Sequence, residues 1–159
     1  MDEKHDNGRC ESGPGMIEKA AQLAPQEVTD ADLKAINKLA LVTLTADQVF
    51  TFKSVLCDNE TDRTYERFSL KALQDLKKLF LGKTVIKDHS RSADNQVARI
   101  YATELVQTDK ATKSGELYTQ LVAKCYMVRT AGNADLIAEI QGGIKKEGSV
   151  GCAVSSSIC

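Results

Sequence analysis

The sequence lacks several features that would assign it at once to a functional class. No apolar run approaches the roughly 20 residues that a membrane-spanning helix requires. The net charge is only −1, so no strong field favours nucleic acid or an anionic membrane as a partner. The chain has no phosphate-binding P-loop, no G-x-G-x-x-G fingerprint and no H-E-x-x-H metal motif. We therefore expect no nucleic-acid partner, no membrane partner and no cofactor.

The start of the chain also lacks the apolar segment of a secretory signal, because residues 1–15 are mainly polar. The cysteines are five, an odd number, and none of them forms a C-x-x-C pair, which does not favour a secreted disulfide framework. Both features predict an intracellular protein whose cysteines are thiols, several of them buried on strands. The cysteines are Cys10, Cys57, Cys125, Cys152 and Cys159.

The chain has the composition of a globular protein, with 42% hydrophobic and 27% charged residues. Its 159 residues suffice for one domain with its own core. Glycines and a proline interrupt a charged stretch near the start, where apolar periodicity is weak. This pattern predicts a flexible N-terminal leader over 1–26, with at most a short helix at 16–23. Residues 27–159 are predicted to form the single domain.

Local patterns predict short helices among several strands. Thr29 and Ser69 are expected to cap the first two helices, and Gly82 to end the second. Because no regular crossover helices separate the strands, we expect an α+β fold, a mainly antiparallel β-barrel flanked by short helices. Strands are predicted at 49–56, 84–89, 97–106, 117–128 and 149–155, and a third helix at 133–141.

One histidine qualifies as a catalytic base. The chain has two, and His5 lies in the predicted leader, so His89 is the imidazole that a fold would hold. It ends a predicted strand and begins a polar loop, a position where catalytic side chains often occur. A histidine at such a position is nevertheless more often an ordinary loop residue.

One serine has a setting that suits a nucleophile. Ser149 follows Gly148 and opens a predicted strand, where small neighbours let a substrate approach the hydroxyl. The motif is not a G-x-S-x-G elbow, because Glu147 occupies the place of the first glycine. Backbone N–H groups of Val150 and Gly151 are the expected donors to an oxyanion. Taken alone, this motif is more often a simple strand entry.

The order of these motifs along the chain resembles the prohead (capsid maturation) serine proteases of tailed phages and prophages, which are herpesvirus-assemblin-like. The resemblance covers about two-thirds of the chain. A histidine-bearing strand, a long strand, a glycine-terminated helix and a Ser-Val-Gly strand follow one another as in that family, with 149 − 89 = 60 residues between histidine and serine. The matching segments are 66–69, 85–89, 97–100, 121–126, 134–143 and 149–151.

The resemblance implies an assemblin-like barrel and a serine endopeptidase in which Ser149 is the nucleophile and His89 the base. It implies cleavage of phage scaffold and major capsid protein precursors, and of the enzyme itself, in the host cytoplasm inside the immature prohead. A homo-oligomer is a further implication. In that family a third residue downstream of the serine orients the histidine, and here none of the last ten residues is acidic or histidine.

Because no such residue follows Ser149, the third member of the triad is unknown. Asp88, Asp94 and Glu147 are the nearby acids that could take its place, and none of them is preferred. The predicted domain then lacks its C-terminal continuation. Three alternatives stay open: a catalytically inactive protease-fold module of capsid assembly, a metal-binding domain using Cys152 and Cys159, and a cysteine protease. The metal site is weakly indicated because the two cysteines are farther apart than zinc ligands usually are. The cysteine protease would pair Cys152 with His89.

Overall fold

The computed structural model describes residues 11–12, 15–63, 65–154 and 157–158. In these ranges the chain forms eight strands and three α-helices. The strands are β1 (Glu11–Ser12), β2 (Gly15–Gln26), β3 (Val49–Asp58), β4 (Thr84–Ile86), β5 (Gln96–Ala111), β6 (Leu117–Val128), β7 (Glu147–Val154) and β8 (Ser157–Ile158). The helices are α1 (Asp30–Asn37), α2 (Leu70–Phe80) and α3 (Ala134–Gln141).

Six strands form one antiparallel sheet in the order β4-β5-β6-β3-β2-β7, while β1 and β8 form a separate pair. The large sheet curls into a half-barrel. Its end strands, β4 and β7, do not pair with each other within the described ranges. The expected α+β class with a mainly antiparallel sheet is therefore confirmed, and the expected barrel is only half formed.

The main core lies between one face of the sheet and the helices α2 and α3. Phe50 and Phe52 face this core from β3, with ring centroids 6.0 Å apart. Val49, on the opposite face of the same strand, packs in a second cluster with Ile36 of α1. Successive side chains of a strand point to opposite faces, so the predicted alternation along β3 is confirmed.

The predicted caps of the first two helices are also confirmed. In α1 the hydroxyl of Thr29 accepts from the backbone N–H of Asp32 at 3.2 Å, and the Asp32 carboxylate accepts from the N–H of Thr29 at 3.3 Å. In α2 the Ser69 hydroxyl accepts from the N–H of Ala72 at 3.1 Å. Gly82 follows with φ of +77°, a conformation that glycine adopts readily. None of the helices in the described ranges is long and apolar enough to cross a membrane.

The predicted leader over 1–26 is wrong from Gly15 onward, because β2 is an inner strand of the sheet. It pairs with β3 on one side and with β7 on the other. Pro25 lies beyond Gln22, the last residue of β2 that pairs with β7, so its missing N–H removes no bond to that strand. Partners distant in sequence thus fix a segment whose own residues favour strands weakly. Residues 1–10 lie outside the described residues.

Candidate active site

A tight turn directly after β4 carries His89. The backbone N–H of Ser90 donates to the carbonyl of Lys87 at 2.9 Å, which closes a four-residue turn. Its two central residues, Asp88 and His89, have φ of 52° and 51°. Positive φ at both central positions defines a type I′ turn, which holds two side-chain-bearing residues in the left-handed region. Such backbone strain is typical of functional sites.

The end strand β7 carries Ser149. This residue lies opposite Ala20 of β2 in the antiparallel register. Its neighbour Val150 is buried in the main core, so strand alternation turns Ser149 to the other face, where it is exposed. The serine therefore combines a backbone fixed by sheet pairing with a hydroxyl open to solvent.

The curl of the sheet brings its two ends together at these residues. Nε2 of His89 lies within hydrogen-bond distance of Oγ of Ser149, although the residues are 60 positions apart. In the tautomer with the proton on Nδ1, Nε2 is an acceptor for the serine hydroxyl. This arrangement is the one in which an imidazole can take a proton from a nucleophile.

Some backbone N–H groups of β7 form hydrogen bonds to β2, and others point away from it. The N–H of Leu23 donates to the carbonyl of Lys146 at 2.7 Å, so these residues form a hydrogen-bonded pair of the β2–β7 ladder. Such pairs recur at every second residue, which directs the N–H of Val150 to Lys19 and that of Gly151 to the open side of β7. Of the two expected donors, Gly151 is therefore the one whose N–H the β2–β7 ladder leaves unpaired, and its role as an oxyanion donor stays a prediction.

In the described part of the chain, Ser149 is the residue whose side chain has a hydrogen-bond contact with His89. Asp88, Asp94 and Glu147 are the acids expected to substitute for the third triad member, and none of them has a hydrogen bond to His89 there. Asp88 and Glu147 line the same cavity as the serine and the histidine, whereas Asp94 does not. The imidazole is thus held by its turn and by Ser149.

A lysine adds positive charge beside these acids. Lys145 lines the same cavity, and its ammonium group lies 2.8 Å from the carboxylate of Glu139. The hydrogen bond that Lys145 donates to Glu139 raises the pKa of Lys145, and the negative charge of Asp88 contributes to the same shift. Charges of both signs therefore surround the serine and histidine at the protein surface.

A cavity of about 700 Å³ is lined by Ser149 and His89 together with residues of the main core. Four of the residues around it are apolar and almost fully buried, so they present little surface to the cavity: Phe52, Cys125, Met127 and Ile140. Its rim is exposed and charged, and is formed by Lys83, Lys87, Asp88, Lys145 and Glu147. A volume of this size is typical of small-molecule and side-chain binding sites.

The cysteines have different settings. Burial raises the pKa of the Cys125 thiol to about 12, so this cysteine stays protonated and poorly nucleophilic at neutral pH. Cys152 is half-buried and packs against the main core. Groups of three or more His, Cys, Asp or Glu side chains that could hold a metal ion do not occur among the described residues, and Cys159 lies outside them.

Sequence reasoning missed two components of the site. The type I′ turn had one local signal, because aspartate is among the residues that adopt positive φ most readily after glycine, and Asp88 occupies such a position. The cavity had no local signal, since its floor is assembled from β3, β6 and α3. Only the curl of the sheet brings these elements together.

Comparison of the chain with models of known protein families, with curated proteins and with solved structures gives no match. The features that bear on function are therefore the contact between Ser149 and His89 and the order of the sequence motifs.

Proposed function

We propose that this protein is a serine endopeptidase in which Ser149 is the nucleophile and His89 the general base. The observation that carries the proposal is the contact between Nε2 of His89 and Oγ of Ser149. A serine hydroxyl is a weak nucleophile at neutral pH unless a base takes its proton as it attacks. The chain brings its one described histidine to an exposed serine on a fixed strand, which is the minimal arrangement for such chemistry.

The reaction proceeds in two halves. Oγ of Ser149 attacks the peptide carbonyl carbon while its proton passes to Nε2 of His89, and the N–H of Gly151 donates to the carbonyl oxygen as it becomes negative. The C–N bond then breaks, the imidazolium returns its proton to the leaving amine, and the acyl group stays bonded to Oγ. Water, deprotonated by His89, releases the acyl group as a carboxylic acid and restores the serine.

The finer proposal is an assemblin-like prohead protease of phage capsid maturation. It is supported by the resemblance in motif order across 66–151, and an antiparallel half-barrel with three short helices is compatible with it. The proposed substrates are scaffold and major capsid protein precursors, and the enzyme itself. The proposed location is the immature prohead in the bacterial cytoplasm, and the proposed assembly is a homo-oligomer.

Digestion of an unfolded protein tests the endopeptidase proposal. The wild-type protein is incubated with fluorescently labelled casein, and the new N-termini are identified by mass spectrometry. We expect internal cleavage that disappears in Ser149→Ala and in His89→Asn, where asparagine retains a residue that tolerates positive φ. Ser92→Ala is the matched control, because Ser92 is an exposed serine in the same loop with no side-chain cap bond. Cleavage that persists in Ser149→Ala would overturn the proposal.

A second candidate is a catalytically inactive protease-fold module of capsid assembly. It is favoured by one feature, since Nδ1 of His89 has no hydrogen-bond partner among the residues that the structure describes. In trypsin-like proteases, loss of the carboxylate that orients the histidine lowers kcat by about 10⁴-fold. If the folded protein leaves both casein and its capsid precursor intact but co-assembles with that precursor, this second candidate replaces the first.

A further inference from the structure

We propose that Cys10 and Cys159 form a disulfide site that fastens together the outer ends of the paired strands β1 and β8. Cys10 directly precedes β1 in the sequence, and Cys159 directly follows β8. Both cysteines lie outside the described residues, and the register of the described strands determines which residues face each other. The site is independent of Ser149 and of the proposed proteolysis.

The short pair β1 and β8 continues the ladder of β2 and β7 without a shift in register. The longer ladder pairs Gly15 with Val154, and the shorter one pairs Ser12 with Ser157. Two residues separate Ser12 from Gly15 on one side, and two separate Val154 from Ser157 on the other. Equal spacing on both sides means that the strands leave the first ladder and enter the second in the same register.

This register, continued by one residue, pairs the two cysteines. Glu11 lies opposite Ile158 in the outermost pair that the structure describes. The next residue outward is Cys10 on one strand and Cys159 on the other. Two of the five cysteines therefore occupy facing positions, although nearly the whole chain separates them in the sequence.

The type of pair also suits a disulfide. Because Leu23 and Lys146 form a hydrogen-bonded pair, pairs an even number of residues away are hydrogen-bonded, and the pairs between them are not. The pair of Cys10 and Cys159 is an odd number of residues away, so it belongs to the second type, with Cα atoms about 4.5 Å apart. Disulfides join residues whose Cα atoms are about 4.4–6.8 Å apart.

The three described cysteines are poorly placed to compete for these thiols, and none of them is in a disulfide. Cys57 and Cys125 are at most 4% exposed, and burial raises the pKa of Cys125 to about 12, which leaves little reactive thiolate. Cys152 packs against the main core, and it is an odd number of residues from Cys159. Alternation along a strand turns such residues to opposite faces.

The bond forms by thiol–disulfide exchange with a low-molecular-weight disulfide such as oxidised glutathione. The thiolate of one cysteine attacks that disulfide and releases one glutathione thiolate. The thiolate of the other cysteine attacks the mixed disulfide, which forms the protein disulfide and releases the second glutathione. Two cysteine thiols are oxidised, one disulfide is reduced, and the two cysteine protons pass through water to the glutathione thiolates. A reducing cytosol reverses the reaction.

Mass spectrometry of the full chain tests which cysteines are joined. The protein is equilibrated with oxidised and reduced glutathione, its remaining thiols are alkylated, and it is digested without reduction. We expect a cross-linked peptide that contains Cys10 and Cys159 in monomeric protein, lost in Cys159→Ser and retained in Cys152→Ser. A bond from Cys152 to either of the other two, or a bond between two copies of the chain, would overturn the proposal.

A displaced cysteine tests whether the register, rather than the mere presence of two thiols, brings the pair together. In the double variant Ile158→Cys, Cys159→Ser the thiol moves by one residue, and strand alternation turns it away from Cys10. We expect the equilibrium constant for closure against glutathione to fall at least about tenfold, because the bond is then strained. An unchanged constant would contradict the inferred register.

A matched control moves both thiols inward to Ser12 and Ser157, which form a described pair of the same type. With Ser12→Cys and Ser157→Cys, and with serine at positions 10 and 159, closure should be as favourable as in the wild-type protein. Oxidation should also raise the Tm of the wild-type protein by about 5–15 °C, because the bond closes a loop of nearly the whole chain. Equal Tm values for the oxidised and reduced proteins would show that the strands are not fastened.

Discussion

The centre and the two ends of the large sheet differ in burial and in backbone geometry. At the centre, β3 and β6 pair along most of their length, and Leu121 and Ala123 have no exposed surface. At the ends, His89 and Ser149 are exposed, and the turn at His89 has two successive residues with positive φ. The difference indicates that packing at the centre stabilises the fold, while the ends are free to carry chemistry.

The largest expected effect concerns activity at the ends. Ser149→Ala is expected to lower kcat at least about 10³-fold, because the nucleophile is lost and only binding and oxyanion stabilisation remain. Its free energy of unfolding should change by no more than about 0.5 kcal/mol, because the side chain is exposed. Ester hydrolysis and urea unfolding measure the two quantities. A large loss of stability in this variant would show that the end strand β7 contributes to the stability of the fold through Ser149.

The centre should show the opposite behaviour. Leu121→Ala is expected to cost about 2–5 kcal/mol of unfolding free energy, because the side chain is fully buried and its removal leaves a cavity. The matched control is Leu117→Ala on the same strand, where the side chain is 50% exposed and the cost should stay within about 1 kcal/mol. Folded Leu121→Ala protein should retain wild-type turnover per molecule. Equal costs for the two variants would contradict the account.

On the face of the sheet that packs against α1, Asp32 is expected to have an intermediate effect on stability, and this effect depends on pH. Burial tends to raise the pKa of Asp32, but the hydroxyl and backbone of Thr29, the nearby Tyr101 and the ammonium of Lys124 at 3.5 Å outweigh it and lower the pKa. A lowered pKa in the folded state means that stability is complete above the usual value of 3.8 and is lost as pH falls through the folded value.

Asp32→Asn is therefore expected to cost about 1–3 kcal/mol at neutral pH, because it removes charged hydrogen bonds. It should also flatten the decline in stability below about pH 4. Urea midpoints measured from pH 6 to pH 2.5 provide the test, with Asp30→Asn, an exposed acid of the same helix turn, as the control. If Asp32→Asn and the wild-type protein lose the same amount of stability as the pH falls, the Asp32 carboxylate does not stabilise the fold in the way expected.

The smallest expected effect tests the strain at the histidine turn. Asp88→Gly should leave stability unchanged or raise it by up to about 1 kcal/mol, because glycine adopts positive φ without a Cβ clash. At Asp94, where φ is not positive, the same substitution should cost about 0.5–1 kcal/mol through the entropy of the unfolded chain. Differential scanning calorimetry compares the two, and an equal loss in both would mean that the turn carries no strain.

Features with local causes could be predicted from the sequence. The cap of α1 needs Thr29 and Asp32 three residues apart, and the end of α2 needs a glycine that tolerates positive φ. The two faces of β3 follow from alternation along one strand. In each case the residues that determine the structure are neighbours in the chain, so their spacing contains the information.

Features with distant causes could not be predicted in this way. The strand β2 depends on hydrogen bonds to β3 and β7, and its own residues favour a strand only weakly. The proximity of His89 and Ser149 depends on the curl that brings the two end strands together. The order of the motifs predicted which two residues to consider. It could not predict the distance between them, the cavity beside them or the N–H groups that the β2–β7 ladder leaves unpaired, because these depend on the three-dimensional fold.

Labelling with a fluorophosphonate, followed by mass spectrometric mapping of the modified residue, tests whether His89 activates Ser149 as a nucleophile. The reagent needs an activated serine but no known substrate. We expect modification of Ser149 in the wild-type protein and its loss in His89→Asn, with labelling retained in Ser92→Ala. Modification of another serine, or labelling of Ser149 that does not depend on His89, would contradict it.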